Sequence, residues 1–273
     1  LAASSISAQT PDGLPRPVAG AYTHVYRMLH PAGQSYAVRL FLKPRPDLAV
    51  RLSALLARLA SLSAPPAWFV APQWQDEGIF AAGSWRPLIR MPWVEGIDLG
   101  EAIEKNLGNP AQLRAMADSW RTLVGHLEAC GVVHGDLQRG NVLVEDGTGF
   151  LRLIDYDGVW VPGVAPGDEA GHPAFQHPGR ANAPLGPGGD RFSALVIYTA
   201  LRVLVVAPEL WYRLDNGDNL LFRPEDLRLP ETGRAFTLLK TMLRSFPEEK
   251  ALVETLAQAS RKPLGLVPAV SRL

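Results

Sequence analysis

The feature that most constrains the fold is a change of hydrophobic rhythm near residue 98. Before it, YTHVYRML (22–29) and SYAVRLFL (35–42) are rich in β-branched, aromatic and aliphatic residues and flank the turn-forming HPAGQ of 30–34, which predicts a hairpin. WFVAPQWQ, GIFAAG and WRPLIRMPWV, between residues 68 and 94, predict further short strands that complete a small antiparallel sheet near residue 91. One helix interrupts them. After Pro44 and Pro46, Asp47 is placed to cap a run in which Leu48, Leu52, Leu55, Leu56, Leu59 and Leu62 recur at helical spacing, and Pro65 and Pro66 stop it. Beyond Asp98 helices dominate: Leu113, Met116, Trp120, Leu123, Val124 and Leu127 mark one face of a long helix opened by Asn109 and Pro110. The segments 190–206, 233–245 and 247–260 are also helical in pattern, while NVLVE (141–145) and FLRLID (150–155) form a second hairpin across DGTG. Strands gathered before helices predict an α+β class: a sheet-rich lobe with one helix over 14–91, a connector at 92–96 and a larger helical lobe over 97–273, together one domain.

Charge directs attention to local motifs. The 27 Lys and Arg balance the 27 Asp and Glu, so no global field argues for a nucleic-acid or membrane partner. No stretch reaches the roughly 18 apolar residues of a membrane span, and the opening LAASSISAQT lacks the basic start and apolar run of a secretory leader, so a cytoplasmic location is expected. Cys130 has no partner for an internal disulfide and reads as a small apolar filler near a helix end. The histidines form no HxxxH pattern and no Cys/His cluster, which argues against a zinc centre. Gly and Pro concentrate between 162 and 189, predicting a long loop there.

The most informative stretch is HGDLQRGNVLV, 134–144, which places Asp136 and Asn141 five residues apart in a loop between a helix and a strand. Phosphoryl transfer needs one carboxylate to align the attacking hydroxyl, and other oxygen ligands to hold Mg²⁺ against a triphosphate. Asp136 suits the first task and Asn141 the second. Asp155 ends the strand that pairs back onto the one starting at Val142, so it returns to the same end of a cleft as a second metal ligand. The bland alternative is that these are polar turn residues capping strands and helices.

HGDLQRGN resembles the HRDLKxxN loop of the eukaryotic-type protein kinase superfamily, in a divergent bacterial branch with HGDLQ and LIDYDG motifs. DYDG, 155–158, resembles DFG with Tyr156 for Phe and the glycine one position late, leaving Asp157 as a second metal contact or a loop residue. GHPAFQHPG, 171–179, resembles GTPxYxAPE, and DRFSALVIY, 190–198, resembles the DVWSLGVIL that opens a buried helix. The resemblance implies a bilobal kinase-like fold, catalytic roles for Asp136, Asn141 and Asp155, and Mg²⁺ held by Asn141 and Asp155. It also implies that Asp190 is structural, accepting hydrogen bonds from the backbone of the 134–141 loop. ATP is then expected against Gly20, Val25, Ala37, Arg39, Met91, Pro92 and Val94: Gly20 and Val25 from the thinned glycine loop, Arg39 in YAVR for the phosphate-binding lysine, and the Pro92 carbonyl and Val94 amide facing the adenine edge.

The departures are as informative. The predicted helix has no acid after Asp47 and none follows until Asp76, so the usual glutamate partner of Arg39 is missing; either another carboxylate substitutes or Arg39 bonds phosphate unaided. Gly135 replaces the arginine that reads a phosphorylated activation loop, arguing against control by that route. Gln138 replaces a lysine, with Arg139 adjacent as its substitute. The peptide-platform motif at 171–179 favours an ATP- and Mg²⁺-dependent serine/threonine protein kinase over a small-molecule phosphotransferase of aminoglycoside-kinase type. The missing glutamate and Arg39 leave a pseudokinase or nucleotide-binding scaffold as the alternative. Expected partners are a protein substrate and, by resemblance to the branch, a cognate phosphatase.

Overall fold

The structure is a computed structural model and describes residues 5–6, 17–19, 23–41, 43, 45–180 and 183–273. Its first half is an antiparallel sheet. The strands β1 (Ser5–Ile6), β2 (Val18–Ala19), β3 (Thr23–Leu29), β4 (Ser35–Phe41), β5 (Gln73–Ala81) and β6 (Ser84–Pro92) run in the order β1-β3-β4-β6-β5, with β2 also on β3. The predicted hairpin is β3–β4, in register from Thr23 opposite Phe41 to Leu29 opposite Ser35. Helix α1 (Pro46–Ala60) buries Leu48, Leu52, Leu55 and Leu59, the stripe that its period of 3.6 dictates.

Several local expectations are corrected. Arg45, not Asp47, is the residue before α1, and Asp47 lies in the first turn, where its carboxylate accepts a 2.7 Å bond from Arg51. Leu56 falls off the stripe and is exposed. The three short strands expected between 68 and 94 are two long ones, β5 and β6, with a bulge between Gln75 and Ile79. The ladder starts only after Pro72, which has no N–H to donate. Phe69 instead bridges to Leu153 in the other half.

Between the halves, β6 runs through Pro92, and β7 (Gly96–Asp98) pairs with β8 (Val142–Glu145), which pairs with β9 (Leu151–Leu153). Asp98 then caps α2 (Leu99–Lys105), its Oδ1 accepting from the Glu101 amide at 3.0 Å. The long helix α3 (Pro110–Cys130) is capped as expected by Asn109, whose Oδ1 accepts from the Gln112 amide, and its predicted apolar face is wholly buried. Cys130 is buried at its end. Helix α4 (Arg191–Val206) is buried almost all round, so it is the centre of the helical half. Trp120 of α3 donates its indole N–H to the Ala194 carbonyl of α4 at 3.0 Å. The short α5 (Trp211–Leu214) and α6 (Pro224–Arg228), then α7 (Arg234–Met242) and α8 (Pro247–Ala259), complete that half. Among the described residues, no strand or α-helix falls between 162 and 189. The architecture is α+β, a small antiparallel sheet beside a helical part, and no helix among the described residues is long and apolar enough to cross a membrane.

Candidate functional site

The loop from His134 to Asn141 leaves α3 and enters β8, and its shape is set from below by the start of α4. The Asp190 carboxylate accepts the His134 amide at 2.6 Å and the Gly135 amide at 2.9 Å. Burial pushes the Asp190 carboxyl up, and His134 and the two amides pull it back. The loop-supporting role expected of Asp190 is therefore the geometry observed. Gly135 has φ +82°, and a Cβ there would run into the Gly158 carbonyl oxygen. A left-handed backbone pressed against another backbone admits only glycine, which is why no arginine stands at this position.

Asp136 projects between two loops. Its Oδ1 accepts the His172 amide at 2.6 Å, and its Oδ2 accepts Asn141 Nδ2 at 3.0 Å. The same Asn141 nitrogen donates to the Asp136 carbonyl at 2.9 Å. Asn141 is buried, so these bonds fix its rotamer and turn its Oδ1 the other way. The Ile154 amide donates to the Asn141 carbonyl at 3.1 Å, which ties the end of β9, and with it Asp155, to the 134–141 loop. His134 is fully buried; its Nε2 lies 3.0 Å from the Ile154 carbonyl and its ring packs on Tyr156 at 5.5 Å. It is a structural anchor, and His177 is another, with ring nitrogens on the Gly179 amide and the Lys262 carbonyl.

Asp155 sits at φ +63°, ψ +72°, a left-handed conformation uncommon for a residue with a side chain and held here by its surroundings. Tyr156, which follows, is buried, donates its hydroxyl to the Leu153 carbonyl at 2.8 Å and accepts the Val70 amide at 3.2 Å. Burial raises its phenol pKa. The tyrosine thus satisfies two backbone groups that a phenylalanine would leave to themselves.

Arg39 closes the site from the sheet. Its Nη1 donates to Asp155 Oδ1 at 2.6 Å and to Asp157 Oδ1 at 2.7 Å, and its Nη2 donates to Asp157 Oδ2 at 2.9 Å. Of the two alternatives left by the missing helix glutamate, the structure takes the first: Asp157 is the forked partner of Arg39, with Asp155 beside it. Burial and the charge of Asp155 push Asp157 up to about 6 against the pull of Arg39, Arg45 and Arg51. Burial works to lower the Arg39 pKa, but the two carboxylates prevail and raise it.

The sheet register places the other expected residues. Val25 faces Arg39 across β3–β4, and Ala37 faces Met91 across β4–β6. Side chains alternate faces along a strand, so Val25, Ala37, Arg39 and Met91 share the one turned toward Asp155. Pro92 ends β6 opposite Tyr36, and the Trp93 amide donates to the Ser35 carbonyl at 3.0 Å. The Val94 amide has no protein acceptor among the described residues. Pro92 and Val94 also line a cavity of about 620 Å³ on the α1 side of this connector. Gly20 lies outside the described residues.

One expectation fails here. Arg139 does not stand in for the missing lysine: it binds Asp215 at 2.9 Å, stacks over Trp211 and lies 3.8 Å from Asp98, directed into the helical half. Gln138 turns back onto the Gly140 amide. Sequence reasoning also missed Arg45, Arg51 and Glu169. Arg51 did leave a signal, for it occupies the apolar face of α1 between Leu48 and Leu55, where a charge needs a partner.

Oxygen ligands for a cation remain open. Among the described residues no protein donor reaches Asn141 Oδ1 or the second oxygen of Asp155, and Arg39 Nε is buried with no acceptor. No three His, Cys, Asp or Glu side chains gather as a metal cage among the described residues. An amide and a carboxylate suit Mg²⁺, which keeps waters and takes phosphate oxygens for its remaining positions. Comparison with protein-family models and with curated proteins finds no match.

Proposed function

We propose that the chain is an ATP- and Mg²⁺-dependent phosphotransferase with a bilobal protein-kinase-like fold, acting on a serine or threonine hydroxyl of a protein. The observation that carries this reading is the meeting of Asp136, Asn141 and Asp155 with Arg39 at the junction of the sheet and the helical half. Mg-ATP supplies the transferable phosphoryl group, and the cation offsets the charge that builds up during transfer. Asn141 Oδ1 and Asp155 are the cation's protein ligands. Arg39 offers its unpaired Nε–H to phosphate oxygen while Asp157 holds its other end. Asp136, fixed by the His172 amide and Asn141, orients the acceptor hydroxyl and takes its proton as the oxygen bonds to the γ-phosphorus and ADP departs. The 171–179 segment, which delivers the His172 amide, is where a peptide would lie.

The test is a Mg-ATP titration by calorimetry on wild type and Asp155→Ala, paired with radiolabel transfer from ATP to protein in wild type and Asp136→Ala. Mg-dependent binding lost in Asp155→Ala, with transfer lost in Asp136→Ala, is the expected pattern. Labelling of small alcohols or aminoglycosides alone would replace the protein substrate with a small molecule. A second reading, a nucleotide-binding scaffold without turnover, is favoured by the occupation of Arg39 by both Asp155 and Asp157; Mg-ATP binding with no transfer, unchanged in Asp136→Ala, is its signature.

A further inference from the structure

The segment after Asp157 crosses from β9 to α4; Val159, Val161 and Phe175 along it are buried, but no residue from 162 to 173 is, and this stretch carries the His172 amide to Asp136. From 157 to 192 the sequence contains no serine, threonine or tyrosine, so no hydroxyl in this stretch can carry a phosphate. A fixed charge stands there instead. The Glu169 carboxylate pairs with Arg45, just before α1, and with Arg51 in α1, whose Nη1 lies 3.3 Å away. Its carbonyl accepts from Arg180 at 3.4 Å. Arg51 is only 2 % exposed, and its sole other carboxylate contact among the described residues is Asp47. Gly167 passes so close that a Cβ there would strike the Arg51 guanidinium and the Glu169 carboxylate. Arg45 also reaches Asp157 at 3.5 Å, and Asp157 forks Arg39, so charges link Glu169 to Asp155 without a break.

We infer that Glu169 is a positioning residue: it holds the 162–171 segment against α1 and keeps the His172 amide on Asp136 with no covalent modification of the segment. That a held segment serves phosphoryl transfer rests on the function proposed above; the clamp itself does not. Arg51 of α1 and Arg45 just before it supply the cations and the segment supplies the carboxylate, and this pairing stands where a helix glutamate and a phosphorylated loop are both missing.

The test is hydrogen exchange read by mass spectrometry over 162–172, with the amides of α3 and α4 as the internal reference. In Glu169→Gln the segment is expected to exchange about tenfold faster, the loss typical of charge-assisted hydrogen bonds in a local opening, while the reference amides hold. Phosphatase treatment of wild type should change nothing. Where the reference amides also open, a second variant decides: Glu169→Cys on a Cys130→Ala background, alkylated with iodoacetate to restore a carboxylate or with iodoacetamide to give a neutral group of similar shape. Protection regained only with the carboxylate supports the clamp. Equal exchange in wild type and Glu169→Gln, equal protection in the two alkylated forms, or a loss after phosphatase overturns it. The Mg-ATP titration run in parallel keeps the two conclusions apart, since wild type that binds no nucleotide defeats the phosphotransferase reading and leaves the exchange result standing.

Discussion

Gly135→Ala isolates the constraint that shapes the 134–141 loop. The residue has φ +82°, so any Cβ carries the left-handed penalty of about 1–2 kcal/mol. The added methyl would also press on the Gly158 carbonyl oxygen, a backbone atom with no rotamer to yield. Overpacking of that kind costs about 1–3 kcal/mol, and the sum is about 2–5 kcal/mol. Gly147 provides the control: it has φ +75° in the β8–β9 turn and open space around it, so Gly147→Ala meets only the left-handed penalty. Urea unfolding followed by tryptophan fluorescence gives both values, and their difference isolates the steric cost at about 1–3 kcal/mol. Gly135→Arg, which would create the triplet His-Arg-Asp, should destabilise at least as much as the alanine. If Gly135→Ala costs no more than Gly147→Ala, the close approach of the two backbones is not what demands glycine, and the account of the loop is wrong.

Tyr156→Phe removes the hydroxyl that serves the Leu153 carbonyl and the buried Val70 amide, and the same unfolding measurement should show a loss of about 1–3 kcal/mol; no loss would mean these bonds are not made. The Asp190 carboxyl is raised in the folded state, so its native form binds a proton more readily than the unfolded chain does. Its contribution to stability is therefore greatest below the ordinary carboxylate pKa and declines as pH rises from there toward the folded value. Stability measured against pH in wild type minus Asp190→Asn should show that decline, and a rise would reverse the sign of the argument. Arg39→Met leaves Asp155 without its cation and Asp157 with only Arg45 at 3.5 Å; the loss should reach about 3 kcal/mol, less where solvent screens Asp155, and Arg39→Lys should recover part of it because one ammonium cannot reproduce the fork.

What the sequence determined by itself is what depends on neighbours along the chain. The β3–β4 hairpin, the Asn109 cap and apolar face of α3, and the β8–β9 hairpin across DGTG follow from turn residues and periodicity within a few positions. Asp190 was legible through its motif, and its bonds to the His134 and Gly135 amides are those expected. Local pattern failed where two local rules competed: Asp47 looked like a cap but serves Arg51, and a proline shifted the start of β5. Only the tertiary structure decided the charge network. Arg39 meets Asp157 across 118 positions and Arg45 meets Glu169 across 124, and no periodicity relates groups that far apart. A charge on an apolar helix face announces that it needs a counter-charge, but which carboxylate answers is set by how the sheet, α1 and the loop after β9 pack together, because Coulomb attraction acts on distance in space and is blind to order along the chain.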